Sequence, residues 1–63
     1  MNNSGIAKFL NEINVGDELS VNTREYSYYG KVTKIESDCF IIDEEDGLKS
    51  YISYAHVWAY AKH

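Results

Sequence analysis

Tyr26-Ser27-Tyr28-Tyr29-Gly30-Lys31-Val32-Thr33-Lys34-Ile35-Glu36 is the stretch on which the fold turns. It is rich in aromatic and β-branched residues and reads as one long strand over 26–36. Gly30 sits in its middle, and a glycine inside a strand marks a bulge or a sharp bend. The alternation of apolar and polar places also slips between Val32 and Ile35, a second sign of bending. A strand bent in this way predicts a sheet that curls.

The neighbouring segments agree. Glu18-Leu19-Ser20-Val21-Asn22-Thr23 alternates with period two and predicts a first strand over 18–23, joined to the long strand by a turn at Arg24-Glu25. Asn14-Val15-Gly16-Asp17 reads as a break and turn. Before it, Ile6, Phe9, Leu10 and Ile13 share one face at helical spacing, which predicts a helix over 4–13 with Ser4 as its N-cap. Downstream, Cys39-Phe40-Ile41-Ile42 is apolar on both faces and predicts a central strand over 38–43. Asp43-Glu44-Glu45-Asp46-Gly47 reads as a hairpin turn, because Asp-Gly between apolar runs is a strong turn signal. A fourth strand follows over 48–54, then a tight corner at Ala55-His56 and a short fifth strand over 57–60.

One helix followed by five short strands is a mainly β chain, and we expect a single domain over residues 1–63. The pattern resembles the strongly bent, SH3-like small barrels. A chain of 63 residues buries only about 60% of the surface that its unfolded form exposes. Such a thin core must be packed well or lean on copies of itself.

Composition narrows the class. The chain is 44% apolar and 25% charged, which is ordinary for a globular protein and not for a disordered or collagen-like one. No apolar run approaches the roughly 18–20 residues that span a bilayer, so no membrane association is expected. Met1-Asn2-Asn3-Ser4-Gly5 has neither the basic segment nor the apolar run of a secretory leader. The lone Cys39 cannot form an internal disulfide. The expected location is the cytoplasm. Ten acidic against six basic residues give a net charge of -4, which argues against wide contact with phosphates.

Motifs for chemistry are missing. Counted from Asp43, the sixth and twelfth places of a calcium loop are Leu48 and Tyr54, where glycine and glutamate are required. Cys39, His56 and His63 have no metal-ligand spacing, and Cys39 reads as a small buried core residue. There is no phosphate-cradling glycine loop and no nucleophile motif. The reading is a non-enzyme without metal or cofactor.

Aromatic residues are the positive signal: six Tyr, one Trp and two Phe. Tyr26, Tyr28 and Tyr29 cluster before the bend, while Tyr51, Tyr54, Trp58 and Tyr60 crowd the last two strands. Three readings stand open. The rings pack the sheet, meet a partner protein, or stack unpaired bases at about 1–3 kcal/mol each. In the last case Lys31, Lys34 and Lys49 lie nearby for phosphates. Val57-Trp58-Ala59-Tyr60 also carries no charge, so as an edge strand it is poorly protected against pairing with another chain. We expect a homo-oligomer.

Three segments together resemble the Sm-like proteins, specifically the bacterial Hfq type of RNA chaperone. Phe9-Leu10-Asn11-Glu12-Ile13 is similar to the helix of that family. Gly30-Lys31-Val32, Ile35-Glu36 and Phe40-Ile41-Ile42 resemble its first signature. Ile52-Ser53-Tyr54-Ala55-His56-Val57 resembles its second, although Tyr54-Ala55 stand where the family has Lys-His. Lys8 replaces a glutamine, and the turn near Asp46 is one residue longer. The likeness runs from about Phe9 to Tyr60. It implies a hexamer or other ring in which Tyr51, Ile52, Val57, Trp58 and Tyr60 form the interface between copies. It also implies a regulator that reads single-stranded RNA, with Lys8, Asn11, Tyr54, His56 and Lys31 as its contacts. Tyr54 or His56 would stack a base, Asn11 would bond its edge, and the lysines would meet phosphate. The competing reading is a small acidic SH3-like adaptor, of a kind found in mobile elements, that binds a basic partner protein. Its contact surface would be the acidic tip Asp43 to Asp46 with the exposed tyrosines.

Overall fold

The computed structural model describes residues 2–63. Helix α1 spans Asn3–Glu12 and is followed by strands β1 (Glu18–Thr23), β2 (Ser27–Ile35), β3 (Cys39–Asp43), β4 (Lys49–Ser53) and β5 (Val57–Lys62). A 3-10 turn over Tyr54–His56 forms the corner between β4 and β5. The chain is mainly β, as its alternating segments require. The strands make one antiparallel sheet in the order β4-β3-β2-β1-β5. Its outer strands do not pair with each other, so the sheet is open where a closed barrel was expected. The edges are β4 and β5, and β5 runs two residues beyond the expected end at Tyr60, to Lys62, so this edge strand is not free of charge.

Helix α1 starts one residue before the expected place, and its cap is Asn2 rather than Ser4. The Asn2 side chain accepts a 2.8 Å hydrogen bond from the Gly5 N–H, satisfying one orphan donor of the first turn. The helix stops at Glu12, because Ile13 is extended while its N–H still reaches the Phe9 carbonyl. Asn14 to Asp17 then turns the chain. Gly16 adopts φ +99° there, which favours glycine. The Gly16 N–H donates to Val32 O and the Val32 N–H donates to Asp17 O, tying the turn to β2.

Two register shifts bend the sheet. Val32 pairs with Ile42 but Lys34 pairs with Ile41, so Thr33 is the extra residue of a bulge in β2. This is the parity slip legible between Val32 and Ile35. Asn22 pairs with Ala59 and Thr23 with Val57, which leaves Trp58 as the extra residue on β5. Gly30 is buried opposite Leu19, and the backbone of Asp43 lies where its side chain would be. Strand β3 lies inside the sheet between β2 and β4, with Phe40, Ile41 and Ile42 all buried. The middle strand is β2, not β3. Cys39 is only half-buried, against the expectation of a core residue, because it sits at the first place of β3. Desolvation, followed by the nearby Glu36 and Asp38 charges, pushes its thiol above the usual value.

The core is built around one ring. Phe9 from α1 is fully buried, 4.5 Å from Tyr60, 5.1 Å from Phe40 and 6.0 Å from Tyr54, ring centre to ring centre. Phe40 and Tyr54 stack at 5.5 Å. Edge-on and offset ring pairs of this kind add about 0.5–1.5 kcal/mol each beyond burial. Polar contacts pin the end of the helix to β5. Tyr60 Oη donates to Glu12 Oε2 at 2.8 Å, and Lys62 Nζ donates to the Glu12 carbonyl at 2.8 Å. A cation at a helix C-terminus also meets the negative end of its dipole. Among the described residues, no helix is long and apolar enough to cross a membrane.

Candidate functional site: an aromatic groove

Tyr54 does not present its ring for stacking. It is 2% exposed, and its hydroxyl donates to the Glu36 carbonyl at 2.6 Å. The 3-10 turn rotates Tyr54 into the core, where burial, the largest cause, raises its phenol above the usual value. Two of the residues expected between copies, Ile52 and Val57, are likewise core residues. Tyr60 is half-buried against the core, and its bond to Glu12 raises its phenol. Tyr51 and Trp58 are the two of that set that stand outward, 68% and 70% exposed.

Tyr51, Trp58 and His56 line the wall of a groove of about 440 Å3. Its other wall is the β1–β2 turn, which brings Arg24, Glu25 and Tyr26, with Tyr28 from the start of β2. Thr23 holds that turn closed: its N–H donates to the Tyr26 carbonyl at 2.8 Å, and its Oγ1 accepts from the Tyr26 N–H at 3.2 Å. Tyr26 is 63% exposed, and its ring lies 6.1 Å from that of Tyr28. The bulge at Trp58 supplies the last ring, because an extra residue need not follow the in-and-out rhythm of the strand. Aromatic walls with few ionised groups suit the docking of an extended chain.

The expected RNA contacts are not gathered there. His56 is exposed in the groove, but Lys8, Asn11 and Lys31 do not line it. Lys8 and Asn11 lie exposed on α1. Lys31 lines a separate hollow of about 210 Å3 with Glu18, Asp43, Glu44 and Glu45. Three residues of the acidic tip, Asp43, Glu44 and Glu45, therefore line that hollow and not the groove. Tyr29 stands at the same hollow and donates to Glu18 Oε2 at 3.1 Å, a bond that is the main cause of its raised phenol.

Among the described residues two basic side chains are ion-paired: Lys49 approaches Asp43 at 3.4 Å and Lys62 approaches Asp17 at 3.4 Å. In the groove Arg24 is the one basic residue besides His56, and Glu25 adjoins it. Among the described residues, no three His, Cys, Asp or Glu are grouped to hold a metal ion. Arg24 and Glu25 read from sequence only as a turn. The sequence signal beside them is the aromatic cluster that starts at Tyr26. Comparison with family models, curated proteins and solved structures finds no match for this chain.

Proposed function

We propose that the chain is a non-enzymatic adaptor that holds an extended segment of a partner protein in the aromatic groove. The carrying observation is that three widely exposed rings, Tyr26, Tyr51 and Trp58, converge on one groove from segments far apart in sequence. Exposed aromatics gathered in this way mark interaction sites, and Tyr and Trp are the residues that dominate protein contacts. The charge balance favours a protein over RNA, since ten acidic residues stand against six basic ones and two of those six, Lys49 and Lys62, are ion-paired. The framework is an open relative of the SH3-like small barrels. Its support is the strand order, the bulge at Thr33 and the 3-10 corner before the last strand. The proposed setting is the cytoplasm, where Cys39 stays a free thiol.

A second reading has its own observation. A helix leading into this strand order, with β4 and β5 both free, fits an Sm-like subunit whose copies join edge to edge in a ring that binds single-stranded RNA. One experiment separates the two. The full chain is offered a displayed library of random twelve-residue peptides and, separately, a pool of random twenty-nucleotide single-stranded RNA. The adaptor reading expects enriched peptides whose binding is lost in Tyr51→Ala and Trp58→Ala but kept in Lys8→Ala and Asn11→Ala. Enrichment of RNA without peptides, lost in Lys8→Ala and Asn11→Ala, overturns it in favour of the ring.

A further inference from the structure

We infer that the groove selects a partner segment bearing a lysine or arginine, whose cation seats against the rings of Tyr26, Tyr51 and Trp58. This rests on the groove being a protein-docking site. Ring faces carry the negative end of the aromatic quadrupole, and a cation within about 6 Å of a ring centre is attracted to it. Three exposed rings and the half-buried Tyr28 share this groove. Its ionised pair, Arg24 and Glu25, cancels in net charge, so the rings and the field of the whole chain decide the sign of the guest. That field belongs to a chain of net charge -4, which draws cations and repels anions. Glu25 sits beside Tyr26 on the turn and offers a carboxylate at the rim. For an acidic or phosphorylated segment the groove offers Arg24, which Glu25 offsets, and His56, while Lys49 and Lys62 are ion-paired elsewhere in the molecule.

Trp58 is the single tryptophan of the chain and lies in the groove, so its fluorescence reads occupancy directly. The full chain is titrated with three blocked glycine-serine peptides of seven residues, whose central residue is lysine, trimethyl-lysine or the uncharged isostere norleucine. The lysine and trimethyl-lysine peptides are expected to bind about two- to fivefold tighter than the norleucine peptide, the range for a cation at exposed rings. Tyr51→Leu keeps an apolar wall but removes a ring face. It is expected to weaken that preference. Equal affinity of all three peptides for the unaltered chain, or an undiminished preference in Tyr51→Leu, overturns the cation inference and leaves a merely apolar docking groove. No response of Trp58 to any of the three, in a chain shown to be folded by circular dichroism, overturns both the inference and the docking reading beneath it.

Discussion

Gly30 faces the main chain of Asp43 so closely that a Cβ at Gly30 would collide with the Asp43 carbonyl oxygen and come 2.6 Å from Ile42 Cγ2. The two strands meet at this point with no room for a side chain, which is why the long strand carries a glycine there. Its backbone is not in the left-handed region, so the requirement is one of space and not of dihedral freedom. Gly30→Ala must push β3 away from β2 or open the ladder beside Lys31 and Asp43. We expect it to cost about 1–3 kcal/mol, the range for overfilling a packed site, read as a lower urea midpoint at unchanged slope. A midpoint equal to that of the unaltered chain would mean that β3 yields freely.

Tyr54 separates packing from hydrogen bonding. Tyr54→Phe keeps the ring stacked on Phe40 and removes the donor to the Glu36 carbonyl, for an expected loss of about 1–2 kcal/mol. Tyr54→Ala also empties the space beside Phe9 and should cost about 3–5 kcal/mol. Loss of any binding in Tyr54→Ala therefore reports on folding and not on contact with a ligand.

Alkali tests the same residue with a definite sign. The folded phenol titrates above the ordinary value of 10.0, with burial the first cause. Above that value the unfolded chain releases its proton while the folded one holds it, so stability falls as the pH rises from 10.0 through the folded value. Tyr29 and Tyr60, raised by their bonds to Glu18 and Glu12, act in the same direction. A chemical denaturation series between pH 9 and 11 should show a shallower decline in Tyr54→Phe than in the unaltered chain. Parallel slopes would show that the buried phenol is not linked to folding.

The sheet was legible because its signals are local. A mid-strand glycine, a slip in parity and an Asp-Gly turn each read out within a few residues; the bulge follows at Thr33, while Gly30 keeps a regular register and marks instead a close approach of two strands. Tyr54 was not legible. It lies in a 3-10 corner, where neither the period of a strand nor that of a helix tells which way a side chain turns. Trp58 reads from sequence as a contact residue without a face, since a bulge breaks the alternation that would assign one. The groove itself joins residues near 25 to residues near 55, and no local pattern links two turns across that distance. The cap falls on Asn2 rather than Ser4 because it is the Asn2 side chain that accepts from the Gly5 N–H.

At the acid end, Asp17 is the group to watch. The Asn14 N–H donates to its carboxylate at 2.8 Å, and Lys62 lies at 3.4 Å. The backbone bond is the larger cause and holds its pKa below the ordinary value of 3.8. A depressed carboxylate stabilises the fold above its unfolded value and ceases to do so as the pH falls through the folded one. Stability should thus decline below about pH 3.8, and Asp17→Asn should flatten this part of the curve while leaving Lys62 its bond to the Glu12 carbonyl. An unchanged acid profile in Asp17→Asn would assign the decline to other carboxylates.

Self-association can be tested apart from the groove through Ala59. It is exposed on the edge strand β5, pairs with Asn22 on its inner side, and does not line the groove. A lysine on an edge strand is a common guard against pairing with another chain, and a surface change of this kind shifts stability by no more than about 0.5 kcal/mol. If copies join β4 to β5, native mass should show an oligomer for the unaltered chain and a monomer for Ala59→Lys, with Trp58 fluorescence of the monomer still responding to peptide. A monomer in both would leave the two edges free and confine recognition to the groove. An oligomer in both would place the contact between copies on another face, and the uncharged run from Val57 to Tyr60 would then serve the core and the groove alone.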